Sequence, residues 1–276
     1  MLTDYHVHLR PDPLENTAER FFTPANAERY RDVAAERGIE ELGVAEHVYR
    51  FTAALDVWDH ELWRRYGRDD LDAYVGFVRE ETDLKLGIEA DYIAGREDRM
   101  ANLLEAHEWD YVVGSVHFLG DHAVDFDDET GVWRHETSAE RVWRRYFEAI
   151  AESATCGLFD IISHPDLVKI WGSGRPVPSK DPRYFYEPAV EAMLEGGVAM
   201  EVSTAGLRKP VGEIYPSRAF LEMAVDAGVP IALSSDAHVP EQLAFRYDDA
   251  VKLLSECGVR QLCVFERRAR RPEPLG

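Results

Sequence analysis

The chain begins with two histidines separated by a single residue, His6 and His8 in the tripeptide "HVH". In an extended strand, alternate side chains point to the same face, so both imidazoles can bind one metal ion. Because an HxH pattern also arises by chance, its meaning depends on where the other polar residues fall.

Short apolar runs that stop at a residue able to bind a metal recur along the chain. The runs are "LGVAEH", "LKLGIEAD", "YVVGSVH", "LFDIISH", "VAMEVS" and "PIALSSDAH", and each is typical of a buried parallel strand. Their ends supply further candidate ligands: His47, Glu89, His117, His164, Asp236 and His238. Histidine and carboxylate side chains are ligands of Zn, Mn and Fe, and so many at equivalent positions imply two or three divalent ions.

Helical segments alternate with these runs. In residues 23–38, Thr23 is a helix cap, Pro24 lies in the first turn and Gly38 ends the helix. In residues 138–153, Ser138 is the cap, and apolar residues recur on one helix face. About seven strand-helix alternations in 276 residues predict one α/β barrel. Active sites of such barrels lie at the carboxyl ends of the strands, so the candidate ligands should converge there.

The motifs occur in an order that resembles a known family. They are "HVH" at 6–8, "EH" at 46–47, "GIEADY" at 87–92, "GSVHFL" at 114–119, "SHPDL" at 163–167 and "SDAH" at 235–238. Together they resemble the polymerase and histidinol phosphatase (PHP) superfamily of metal-dependent phosphoesterases, over nearly the whole chain. The stretch "STAGLRKPVGEIYPS" at 203–217 is similar to its histidinol-phosphate phosphatase branch. The resemblance implies a distorted (β/α)7 TIM-like barrel of the PHP type, in one domain over residues 1–276.

The resemblance also implies how a cluster of two to three metal ions is held. One ion binds His6, His8, Glu89 and Asp236, and Glu89 bridges to a second ion at His117 and His164. A third ion takes His47 and His238. The family usually has another ligand soon after HxH, which here is Asp12, with Glu15 as the second choice.

A pair of metal ions suits phosphate ester hydrolysis. Two ions about 3.5 to 4 Å apart polarise the phosphoryl oxygens and hold a hydroxide in line for attack. An alkoxide is a poor leaving group and must be stabilised as it departs. A third metal ion could do this, or His238 or Asp236 could donate a proton to it.

The substrate phosphate needs a cation beyond the metals. Arg208 and Lys209 follow the strand that ends at Ser203, and we expect these three residues to bind the phosphate at the barrel mouth. Arg175 and Lys169 are second candidates. Further candidates for the pocket lining are Phe118, Asp125, Trp58 and Trp171.

Composition narrows the class of protein. A formal charge of -21 argues against nucleic-acid and membrane partners. Three cysteines without CxxC spacing and the lack of a leader-like start predict a soluble cytoplasmic protein. The basic, proline-terminated segment 266–276 is expected to be a frayed C-terminal tail.

The resemblance implies hydrolysis of L-histidinol phosphate to L-histidinol and phosphate in histidine biosynthesis. The alternatives are a PHP-type hydrolase of another small phosphate ester and a degenerate barrel that binds a partner without catalysis. A nuclease is disfavoured by the acidic balance, and a cyclic amidohydrolase by the absence of a strand-end lysine. Mixed histidine and carboxylate sites accept Zn, Mn or Fe alike, and the oligomeric state stays open.

Overall fold

Seven parallel strands form a nearly closed barrel, as predicted. A computed structural model of the chain describes residues 1–12 and 14–276. The barrel strands lie side by side in chain order. They are β1 (Thr3–Asp4), β2 (Glu41–His47), β3 (Lys85–Asp91), β4 (Tyr111–Ser115), β7 (Ile161–Ile162), β8 (Ala199–Ser203) and β9 (Ile231–Ser234). The first and last strands approach each other where Val7 pairs with Ala237 in parallel.

Ten α-helices surround the barrel in the described residues. They are α1 (Ala18–Phe21), α2 (Pro24–Glu36), α3 (Glu61–Tyr66), α4 (Leu71–Glu81), α5 (Glu97–Leu104), α6 (Val132–His135), α7 (Ala139–Thr155), α8 (Arg183–Gly196), α9 (Arg218–Ala227) and α10 (Tyr247–Glu256). Two predicted caps are confirmed, because Thr23 accepts from Asn26 N and Ser138 accepts from Arg141 N. Short 3-10 turns follow several strands at the barrel mouth, including Val48–Arg50, Leu167–Lys169 and Thr204–Arg208.

The C-terminal segment covers the base of the barrel, and here the expectation of a frayed tail is wrong. Strand β10 (Gln261–Glu266) pairs antiparallel with β11 (Ala269–Pro274). Phe265 of β10 is buried against Tyr5 and Tyr111 at the bottom of the barrel. A basic residue of this segment also contacts the barrel, because Arg268 forms an ion pair with Asp160. Backbone pairing and apolar burial therefore order a segment whose composition suggested solvation.

A second hairpin lies at the barrel mouth. Strand β5 (Phe118–Leu119) pairs antiparallel with β6 (His122–Ala123), directly after β4. This hairpin leads into Asp125 and Phe126, which reach the cavity above the strand ends. Across the helices that the structure describes, none is long and apolar enough to cross a membrane.

Candidate metal centre

Glu89, at the carboxyl end of β3, is the centre of the candidate site. Its two carboxylate oxygens face different imidazoles, and Oε2 also contacts His47 Nδ1. Oε2 lies 3.3 Å from His6 Nε2 and 3.5 Å from His8 Nε2. Oε1 lies 3.4 Å from Nε2 of both His117 and His164. A carboxylate in this position can bridge two metal ions.

Asp236 completes the first group of ligands. Its Oδ1 lies 3.4 Å from His8 Nε2 and 3.8 Å from His6 Nε2. Asp236 has a φ of 52° and His164 a φ of 22°. Such conformations cost non-glycine residues about 1 to 3 kcal/mol each and are concentrated at functional sites. The backbone after β7 and β9 is therefore strained at the two residues whose side chains it directs into the site.

Two buried carboxylates orient the histidines from behind. His6 Nδ1 donates to Glu201 Oε1 at 2.8 Å, and His117 Nδ1 donates to Asp91 Oδ1 at 2.8 Å. Each bond directs Nε2, with its lone pair, toward Glu89. This carboxylate-histidine arrangement is the usual outer support of a metal site.

Four polar atoms of the candidate ligands make no hydrogen bond within the described residues. His6 Nε2, both ring nitrogens of His8 and Glu89 Oε2 are buried and accept or donate no hydrogen bond within the described chain. Three sets of donors lie within 4.8 Å of one another: His6, Glu89 and His164; His6, His8 and Asp236; and His8, His47 and His238. Unpaired buried polar atoms are rare in native proteins and call for a bound partner. The donor sets therefore fit divalent metal ions.

The surroundings of Glu89 and His8 favour the forms of these two residues that bind metal. Burial would raise the pKa of Glu89, but the imidazoles of His47, His6 and His117 outweigh it and hold that pKa well below its usual value. Burial, together with nearby His47 and His238, lowers the pKa of His8 well below its usual value. A charged carboxylate and a neutral imidazole are the states that bind metals.

The third predicted set lies beside the first two. His47 Nε2 and His238 Nε2 are 3.4 Å apart. Asp12 Oδ1 lies 3.3 Å from His238 Nε2 and 3.7 Å from His47 Nε2. Glu15, the second choice for this ligand, is exposed.

A cavity of about 160 Å³ opens above the metal centre. Carboxylates and imidazoles form its floor, and aromatic and apolar residues form its walls. Its lining comprises Asp12, His47, Tyr49, Leu62, Trp63, Tyr66, Glu89, His117, Phe118, Asp125, Phe126, His164, Leu167, Ile170, Lys209, Tyr215, Asp236 and His238. Phe118 and Asp125 thus lie where we expected, whereas Trp58 and Trp171 pack behind Phe118 and Val124.

Two polar atoms of the cavity wall are buried and have no hydrogen-bond partner in the part of the chain that is described. They are Asp125 Oδ1 and the Tyr215 hydroxyl. Both are available to a ligand of the cavity, one as an acceptor and the other as a donor.

The predicted phosphate-binding residues are divided between the cavity and its surroundings. Lys209 lines the cavity. Arg208 is turned behind the strand end, where Nη2 donates to Ser235 O at 2.7 Å and to Asp236 O at 2.8 Å. Its Nη1 is buried and unpaired within residues 1–12 and 14–276.

The other three candidates have protein partners elsewhere. Lys169 Nζ contacts Asp166 at 3.0 Å and Glu213 at 3.1 Å. Arg175 forms an ion pair with Asp127. Ser203 Oγ accepts from Ala205 N and caps the following 3-10 turn.

Sequence reasoning missed several residues that organise the site. Glu201 lies inside the apolar run "VAMEVS". A buried carboxylate is costly without partners, so its position in a buried strand could have indicated that it binds other polar groups of the site. Asp91 follows Glu89 by two residues, so both lie on the same face of β3. Asp4 accepts from Ser235 N and Oγ and from Ala244 N, which fixes the loop that carries Asp236.

Comparison with known proteins agrees with this architecture. Residues 23–205 match the model of the PHP domain. A Deinococcus radiodurans protein named "Probable histidinol-phosphatase" is 34% identical over 251 residues, covering 88% of this chain and 91% of the relative. A Bacillus subtilis histidinol-phosphatase is 26% identical, covering 80% of this chain and 90% of the relative.

A solved structure shares the fold over almost its full length. It is a Lactococcus lactis histidinol phosphate phosphatase complexed with Zn, L-histidinol and phosphate. The two chains superpose with a TM-score of 0.71 at 18% identity, covering 98% of each. With the matched domain spanning most of the barrel and a relative above 30% identity, the chain belongs to the PHP domain family.

Proposed function

We propose that this protein is a metal-dependent phosphomonoesterase that hydrolyses L-histidinol phosphate to L-histidinol and phosphate, a step of histidine biosynthesis. The observation that carries the proposal is Glu89, whose two oxygens each face two or more imidazoles on the cavity floor. The names of the D. radiodurans and B. subtilis relatives support the choice of substrate. Zinc is the first ion to test, because the L. lactis structure contains it.

The metal ions, when bound, stabilise charge on the phosphoryl oxygens and activate water as the nucleophile. The predicted ligands His6, His8, Glu89, His117, His164 and Asp236 would hold two of them. The other steps depend on side chains of the cavity.

Lys209 is the cation we propose for the substrate phosphate, because it is the candidate that lines the cavity. Arg208 is retained as a second donor through its unpaired Nη1 and also holds the backbone at Asp236. Lys169, Arg175 and Ser203 are less suited to this role, since each has the partners described above.

Asp125 suits the cationic part of the substrate. Its Oδ1 is buried on the cavity wall without a hydrogen-bond partner among the described residues. Near it, Phe118, Phe126 and Ile170 make the wall apolar. An ammonium or imidazolium group of the substrate would supply the missing partner, and a phosphate ester without a cationic group could not.

His238 is the better placed of the two candidate acids. Both residues line the cavity, but Asp236 Oδ1 lies between His6 and His8 as a ligand of the first group, whereas His238 belongs to neither of the first two groups of ligands. A His238→Ala protein should keep turnover of an aryl phosphate, whose leaving group needs little protonation, and lose turnover of the alkyl ester. Equal loss on both esters would exclude the acid role.

The proposal is tested by phosphate release from L-histidinol phosphate after reconstitution with zinc. Glycerol 3-phosphate, an aryl phosphate and a nucleotide are the comparison substrates. We expect strong preference for L-histidinol phosphate, loss with a chelator and loss in Glu89→Gln, while the exposed Glu36→Gln retains activity. Equal or better turnover of the comparison esters would favour a PHP-type hydrolase of another small phosphate ester.

A further inference from the structure

Arg50 lies directly behind the predicted third metal site. Its side chain is 1% exposed, although the guanidinium carries a permanent charge. Nη1 donates to Arg10 O at 2.7 Å and to Glu46. Nη2 donates to Asp12 Oδ1 at 2.6 Å. Asp12 is therefore already paired with a buried cation.

The paired oxygen is the one that a third ion needs. Asp12 Oδ1 is the atom that lies 3.3 Å from His238 Nε2 and 3.7 Å from His47 Nε2. An ion held by these two imidazoles would compete with Arg50 for that oxygen or share it. Either outcome weakens one of the two contacts, because both partners are cations.

Charge separates this site from the other two. Glu89 and Asp236 face the first group of ligands directly, and Glu201 and Asp91 add negative charge behind it. Among the described residues, Asp12 is the carboxylate that the third set does not share with the first group of ligands, because Glu89, which contacts His47, and Asp236, 3.6 Å from His238 Nδ1, already face His6 and His8.

The carboxylate behind the third set is also committed. Glu46 Oε2 pairs with Arg50, and its Oε1 accepts from Leu9 N at 2.7 Å and from Arg10 N at 3.2 Å. Apart from His8, which the first group of ligands also uses, this set offers His47, His238 and a carboxylate shared with a guanidinium, which make a poor site for a divalent cation.

We propose that Arg50 competes with the third ion for Asp12, so that the resting protein keeps two ions tightly and takes up a third only weakly, in exchange with solution. This inference rests on the proposed metal-dependent function. It assigns Arg50 as a residue that sets the metal stoichiometry, and it leaves His238 free of metal in the resting state.

The test counts zinc ions in the full chain. The protein is reconstituted with excess zinc and passed through gel filtration in metal-free buffer, and zinc is measured by inductively coupled plasma mass spectrometry. We expect two ions per wild-type chain and three per chain in the double variant Glu46→Gln, Arg50→Met. The double variant removes both buried charges together, and the glutamine oxygen can still accept from Leu9 N and Arg10 N. Its affinity for the third ion should rise roughly 10-fold or more.

Two controls define the cause. Arg50→Lys keeps the positive charge and should retain two ions. Adding Asp12→Asn to the double variant should return the count to two, because the third site then loses its carboxylate.

Each outcome is decisive. Three ions retained by the wild type, or two retained by a double variant with a native circular dichroism spectrum, would overturn the inference. If the double variant does not fold, calorimetric titration of zinc into the two-ion wild type decides: a third site as tight as the others refutes the proposal. Fewer than two ions in the wild type would instead overturn the proposed metal centre.

Discussion

Replacing Glu201 with glutamine should weaken metal binding through the tautomer of His6. Both carboxylate oxygens of Glu201 accept from donors: Oε1 from His6 Nδ1 at 2.8 Å and Ser234 Oγ at 2.6 Å, and Oε2 from His164 N at 2.7 Å. Glutamine has one oxygen and one NH₂ group, so it cannot accept at both places. If the NH₂ faces His6, Nδ1 must become the acceptor and the proton moves to Nε2, the atom that faces Glu89. If it faces His164 instead, a buried backbone N–H loses its acceptor.

Each arrangement has a typical energetic cost. Loss of an outer carboxylate typically costs about 10- to 100-fold in metal affinity, or about 1.4 to 2.8 kcal/mol. An unpaired buried N–H costs about 1 to 3 kcal/mol of folding free energy. We therefore expect Glu201→Gln to lower metal affinity, protein stability or both by amounts of this order.

Two measurements separate these effects. Competition with a chromophoric chelator gives the zinc dissociation constant, and urea unfolding of the metal-free protein gives the free energy of unfolding. Glu36→Gln on the exposed end of α2 is the control for the loss of one negative charge. A Glu201→Gln protein with wild-type zinc affinity and wild-type metal-free stability would refute the tautomer argument.

Three further predictions test the metal centre, the cavity wall and the barrel base. Chelator should abolish phosphate release and lower the thermal midpoint, because bound ions stabilise only the folded state; an unchanged midpoint in a calorimetric scan would contradict this. Asp125→Asn should reduce kcat/KM for L-histidinol phosphate by roughly 30-fold, or about 2 kcal/mol, and spare an aryl phosphate. The exposed Asp121→Asn is its control, and equal loss on both esters would remove Asp125 from substrate recognition. Phe265→Ala should lower the free energy of unfolding, measured in urea, by about 3 to 5 kcal/mol. The control Glu266→Ala, at an exposed position of the same strand, should change that free energy little. A small effect of Phe265→Ala would mean that the hairpin does not close the base of the barrel.

The sequence by itself determined the architecture and the cluster at its mouth. The HxH spacing puts His6 and His8 on one face because side chains alternate along a strand. Residues that end parallel strands converge at one rim of a barrel, so Glu89, His117 and His164 could be brought together without knowledge of their contacts. These inferences rest on local periodicity and on a topology with few alternatives.

The tertiary structure decided how the charged side chains are partnered. Lys169 and Arg175 resemble phosphate ligands in the sequence but pair with Glu213 and Asp127, which come from distant segments. Likewise, only the folded chain shows Arg50 beside Asp12, or the basic hairpin packed on an acidic barrel. Ion pairs depend on which groups meet in space and how far water is excluded from them, and neither quantity has a local signal in the sequence.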